Sequence, residues 1–201
     1  MSPIFTAAFQ SRIGLLAGAL SLAGFAPYIT AVLRQGARPN RATWWIWTVA
    51  GAIIFASYYS SGGGPSSWVA ASYVLGPLAV ALLSIWRGEG GFSRLDSACL
   101  GATGLSLAAW TFTKNPLLSL SMNIVVDAAG ALPTIKKTWL APRSESLSAW
   151  LLFLLADVLN LFAVPDWRNW NVAYPLYLTT LALVISALCL RRGKPFSGKS
   201  L

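Results

Sequence analysis

Apolar residues run along this chain in blocks about one membrane thickness long, separated by short polar breaks. The blocks are Ile13–Leu33, Ala42–Ser60, Ser67–Trp86, Ser97–Thr113, Asn115–Ile135, Ser146–Val164 and Asn171–Leu190. A helix that crosses a bilayer needs about 20 mostly apolar residues, so the pattern predicts seven spanning helices. The breaks RQGARPNR, SSGGGPSS, RGEGGFSRLD, TKNP, KKTWLAPRSE and PDWRNW hold the Gly, Pro and polar residues that connections use. The expected fold class is therefore all-α integral membrane.

Composition supports that reading. Of 201 residues, 56% are hydrophobic and only 10% charged, with a mean hydropathy of +0.60. A soluble domain carries about 25% charged residues, so this chain lacks the polar surface to cover a water-facing globule. Histidine is absent, which removes histidine-dependent catalysis and most transition-metal sites. Cys99 and Cys189 both lie in apolar segments, and they imply neither a disulfide framework nor a metal site. No cofactor is expected. No signal peptide is expected either, because the first apolar run exceeds the length of a typical signal core.

The net charge of +9 is distributed unevenly. If the seven blocks span in turn, the amino-terminal side holds three basic residues, Arg12, Lys114 and Arg168. The opposite side holds twelve: Arg34, Arg38, Arg41, Arg87, Arg94, Lys136, Lys137, Arg143, Arg191, Arg192, Lys194 and Lys199. Basic loops remain cytoplasmic, so the amino terminus is expected outside and the carboxyl terminus inside, in a plasma or bacterial inner membrane. The bias is an orientation signal and an anionic-lipid contact rather than a nucleic-acid footprint. The expected partners are the lipid bilayer and a small-molecule solute, with no nucleic acid and with homo-oligomerisation left open.

One stretch recurs. GFAPYITAVLRQGARPNRATWW, from Gly24, is echoed by GALPTIKKTWLAPRSESLSAW, from Gly130. At a constant offset of 106, Gly24 falls on Gly130, Pro27 on Pro133, Ile29 on Ile135 and Trp44 on Trp150. Two three-helix units in the same orientation need one extra span between them, which the fourth block supplies. The expected organisation is a first repeat over 1–94, a linker helix over 95–114 and a second repeat over 115–201, a 3+1+3 plan known among transporters.

On these residues the chain resembles the PQ-loop and SWEET superfamily of 3+1+3 carriers. Pro27 and Pro133 match the proline near the cytoplasmic end of each unit's first helix, and Ser144-Glu145-Ser146-Leu147-Ser148 is similar to the loop of the second unit. Tyr28 and Thr134 stand where the family has glutamine, and Trp44 and Trp150 stand near the second-helix prolines of sugar-carrying members. No asparagine lies in the middle of the third or seventh block. The resemblance thus implies the fold and a transport function rather than sugar as the substrate.

A proline inside a helix removes a backbone donor and clashes with the preceding turn. Pro27 and Pro133 are read as paired gating kinks, against a static kink or simple helix termination. Trp44, Trp45, Trp47, Trp139 and Trp150 are read as an interfacial aromatic belt. Gly14-x3-Gly18 permits close helix packing. Tyr73, Tyr174 and Tyr177 are candidate cavity-lining residues.

Two carboxylates lie inside spans, Asp127 and Asp157. At 1.5 Å per residue they sit roughly 12 and 16 Å deep, near the bilayer centre. Each has an asparagine about one turn away, in Asn123-x3-Asp127 and Asp157-x2-Asn160, spacings that keep a pair on one helix face. The four are expected to form one polar cluster. Intramembrane carboxylates are costly and default to functional sites, so the cluster is read as a substrate or proton-coupling site, with a structural hydrogen-bond network as the bland alternative. The leading function is a carrier of a small polar solute by alternating access, coupled to protons, and not an enzyme. A non-transporting receptor on the same fold is the alternative. An intramembrane aspartyl hydrolase is remote, since neither acid sits in a glycine-flanked motif.

Overall fold

A computed structural model of the chain describes residues 5–34, 39, 41–88, 94–140, 142 and 145–191. The side chains of Pro133, Lys136 and Lys137, and Arg38, Arg143, Ser144 and the tail from 192 onward, lie outside the described residues. The described residues form α-helices and short 3-10 turns, with no strand among them. In chain order the helices are α1 (Ala7–Arg34), α2 (Arg41–Ser60), α3 (Ser67–Arg87), α4 (Arg94–Thr113), α5 (Pro116–Leu140), α6 (Leu147–Leu161) and α7 (Ala173–Leu190). Each coincides with one apolar block. Ala7–Arg34, Gly64–Arg87 and Trp170–Leu190 are long and apolar enough to cross a membrane, and Pro116–Ala131 and Leu147–Leu161 are shorter apolar helices.

Local chemistry sets the boundaries. Asn115 Oδ1 accepts from the backbone N–H groups of Leu117 and Leu118 at 3.1 and 3.3 Å and so caps α5. Ser146 Oγ accepts from Ala149 N at 3.4 Å and caps α6, while Glu145 takes the Trp150 indole N–H at 3.2 Å. The carboxyl end of α5 departs from expectation: it continues past Ile135 to Leu140. The Lys-Lys-Thr-Trp-Leu sequence reads as a polar break, but none of its residues breaks a helix.

Packing follows one scheme. α3 lies against α1 and α2, and α7 lies against α5 and α6. Between the two groups, α1 packs on α6 and α2 packs on α5. Six helices thus close a ring, and α4 stays outside it, against α2 and α5.

The ring has two recognisable ends. At one, Arg87 donates to Leu33 O at 3.3 Å, Arg41 donates to Ser84 O at 2.9 Å, and the Arg191 guanidinium lies 3.9 Å from the Trp139 ring. At the other, Gln10 donates to Val164 O at 2.9 Å and Asn171 to Ser61 O at 3.2 Å. There Gly14 and Gly18 let α1 approach the backbone of Pro65 and Trp68 directly.

Hydroxyl residues inside these apolar helices bond to the carbonyl one turn back, as in Thr48 to Trp44 O and Ser57 to Ile53 O. Meanwhile Leu15, Leu16, Leu75, Ile85 and Phe112 point outward and remain exposed. Apolar side chains are therefore plentiful on the outside, while hydroxyls such as those of Thr48 and Ser57 are satisfied by their own helix.

Candidate functional site

The second helices of the two halves carry parallel inward faces. On α2 the face is Trp44, Trp47, Gly51 and Ile54; on α6 it is Trp150, Phe153, Asp157 and Asn160. Each set is spaced by three, four and three, one stripe of a helix, and each member lies 106 residues from its counterpart. The halves use these stripes reciprocally. A Cβ on Gly24 of α1 would lie 2.6 Å from the Phe153 ring of α6, and a Cβ on Gly130 of α5 would lie 3.2 Å from Trp47 Nε1 of α2. Each glycine makes room for an aromatic ring from the other half.

These rings surround a cavity inside the helix ring, with about 80 Å³ of room for the centres of water-sized molecules. Among the described residues, all six ring helices line it and α4 does not. Phe25 is 4.9 Å from Phe153 and 6.0 Å from Tyr73, centroid to centroid, and Trp44 is 5.2 Å from Trp47. Toward the Asn171 end the space is stopped by packed side chains: Tyr58 lies 5.3 Å from Tyr174, and Val69, Ala70 and Leu120 are fully buried.

Asp127 lines this cavity. Tyr177 of α7 donates a 2.5 Å hydrogen bond to its Oδ2, and no Lys or Arg among the described residues pairs with it. A similar pairing stands in the first half, where Tyr73 of α3 lies beside Ser21 of α1, the residue 106 positions before Asp127.

Asp157 is 1% exposed and off the cavity wall. Its carboxyl lies beside the Tyr73 hydroxyl, although neither oxygen accepts a hydrogen bond of ordinary geometry among the described residues. Tyr73 therefore stands between the cavity and Asp157. Asn160, one turn on, is equally buried with Oδ1 unpaired.

The single four-residue cluster does not form. α7 separates α5 from α6, and Asn123 turns away from Asp127 to donate to Ser106 Oγ of α4 at 2.5 Å and to Ser119 O at 2.9 Å. Four residues advance a helix by about 40° beyond one full turn, enough for Asn123 and Asp127 to meet different neighbours. Asn123 therefore fastens the outer helix α4, and Asp127 serves the cavity.

Of the three tyrosines, Tyr73 and Tyr174 line the cavity and Tyr177 reaches it through Asp127. Helices α1 and α5 both run seven residues beyond Pro27 and Pro133, so neither proline terminates its helix. Trp44, Trp47 and Trp150 face inward to the cavity rather than forming a belt, while Trp139 remains exposed. Their matched spacing on α2 and α6 is the sequence signal that identifies them. Comparison with protein-family models, curated proteins and solved structures returned no match.

Proposed function

We propose that the chain is a 3+1+3 membrane carrier that moves a small solute by alternating access through the central cavity, with Asp127 and Asp157 coupling transport to protons. The observation that carries this reading is the exchange symmetry of the packing around one cavity. Swapping α1 with α5, α2 with α6 and α3 with α7 turns every contact of the ring into another contact of the ring. Two like halves around a central site are what alternating access by rocking requires. The outward apolar side chains suit lipid, and the resemblance to PQ-loop carriers agrees with this arrangement. An aspartyl hydrolase is disfavoured, because it needs two acids sharing a proton. Here Asp127 is bonded to Tyr177 and Asp157 lies off the cavity wall.

The test is flux. Purified protein in proteoliposomes with an imposed pH gradient is expected to accumulate a solute at the expense of the gradient, with a coupled movement of protons. Saturable binding without flux, for every solute tried, would replace the carrier by a receptor.

The orientation rests on the charge bias and has its own check. A reporter fused after Leu201 is expected to be active in the cytoplasm, and one inserted at Gly62–Gly64 outside. The reverse pattern would overturn both the orientation and the order of spans.

A further inference from the structure

Resting on the reading of the central cavity as the solute site, we infer that its solute is a small organic cation with an alkylated ammonium head, held against aromatic rings with Asp127 as counter-ion.

Charge comes first. Among the described residues that line the cavity, Asp127 is the only charged one. A zwitterion such as an amino acid would bring a carboxylate against described wall residues that include no Lys or Arg to receive it, and an unpaired buried charge is strongly disfavoured.

The wall itself comes second. Seven of its fourteen residues are aromatic, three of them tryptophan. Ring faces attract desolvated cations, and quaternary ammonium groups above all, with tryptophan the best partner. The Trp47 indole packs against Gly130, three residues along α5 from Asp127, so ring and carboxylate converge on one part of the cavity.

Hydrogen-bonding capacity is low. Apart from Asp127, the polar side-chain groups of the described wall residues are two tyrosine hydroxyls and three indole N–H groups, and the Trp150 indole already donates to Glu145. A sugar of this size would leave hydroxyls unpaired, which is costly. A bare metal ion would need six or more oxygen ligands, and no cluster of metal-binding side chains exists among the described residues.

Size narrows the class. A water needs roughly 10–15 Å³ of such room, so about 80 Å³ accepts on the order of five to eight non-hydrogen atoms. Tetramethylammonium and choline fall in that range.

Proton and cation would compete for the same carboxylate. The titratable groups facing Asp127 are Tyr177 and Tyr174 of α7 and Tyr73 of α3, with Asp157 of α6 behind Tyr73. The described cavity-lining residues of α2 are Trp44, Trp47, Gly51 and Ile54, and α4 contributes none.

The experiment is a titration of the full-length protein in detergent, read by tryptophan fluorescence and thermal stability. Tetramethylammonium chloride and choline chloride are compared with sodium chloride at equal ionic strength, with glucose, and with glycine betaine, which carries the same head plus a carboxylate. The two cations are expected to give a saturable response, and the other three none. Asp127→Asn is expected to weaken the affinity at least tenfold. Trp47→Leu should do likewise, and Trp47→Phe, which keeps a ring, less so. Acidification is expected to weaken binding in the parent and not in Asp127→Asn. No saturable response to either cation, an affinity unchanged in Asp127→Asn, or equal binding of betaine or glucose would overturn the inference. Because binding is read without flux, the two proposals fail separately. Cation binding without transport sinks the carrier alone, and proton-driven flux of another solute without cation binding sinks the cation alone.

Discussion

Asp127→Asn is expected to abolish pH-gradient-driven accumulation in proteoliposomes while leaving the protein folded. Asparagine keeps the shape of the side chain, and its carbonyl can still accept from the Tyr177 hydroxyl that now bonds Oδ2. The bond lost in charge character is worth little to the fold, on the order of 1–2 kcal/mol by model-peptide estimates. What disappears is the charged group lining the cavity, and with it the means to bind a proton or a cation in alternation. A loss of accumulation of at least tenfold corresponds to about 1.4 kcal/mol, modest for removing a counter-ion from a low-dielectric site.

Asp157→Asn separates binding from coupling. Its carboxyl is off the wall and lies beside Tyr73, so solute binding is expected to persist and the response to the pH gradient to fall. If Asp127→Asn transports as the parent does, with the same pH dependence, the acids are structural polar contacts and the coupling proposal fails. In that case Asp127→Leu, which removes the partner of Tyr177, should be the damaging change.

The positions of the helices were legible because hydropathy alone decides them in a chain this apolar, and each block became one helix. The offset of 106 was legible from Gly24, Pro27 and Trp44 and their counterparts. Its consequence was not, since it depends on the partner half: Gly24 matters because Phe153 packs on it, and Gly130 because Trp47 does. Residues so different as Trp47 and Phe153 conceal their equivalence until both are seen performing the same packing. The tryptophans near the starts of α2 and α6 were misread for a related reason. A tryptophan near a helix end suits a lipid interface and a cavity mouth equally well, and only the neighbouring helices tell them apart. Asn123 was misplaced because helical spacing gives the face of a helix, not which neighbour meets that face. The outer helix α4, which takes its bond, packs on the ring from outside, against α2 and α5.

The same substitution should have opposite effects on two helices of this protein. Gly→Ala in a helix normally stabilises, by up to about 1 kcal/mol in propensity. On α4 a Cβ at Gly101 or Gly104 would meet nothing within 4 Å, so Gly101→Ala and Gly104→Ala are expected to be neutral or slightly stabilising. On α1 the result should reverse. A Cβ at Gly14 would lie 2.2 Å from Pro65 O, and one at Gly18 2.6 Å from Trp68 Cβ and 2.9 Å from its backbone carbonyl. These neighbours are backbone or begin a side chain, so no rotamer change relieves the clash and α1 must move away from the start of α3. Overpacking of this kind costs about 1–3 kcal/mol, more than propensity returns. The displacement would also strain the fastening of that end of the ring, where Gln10 reaches Val164 O and Tyr58 bonds Ser66. Thermal unfolding in detergent, followed by loss of the monodisperse peak on size exclusion, is the measurement. Gly14→Ala and Gly18→Ala should unfold several degrees below the parent, and Gly18→Leu should yield little folded protein. Equal melting temperatures for Gly18→Ala and Gly101→Ala would mean that α1 and α3 do not meet backbone to backbone, and the closed end of the ring would have to be redrawn.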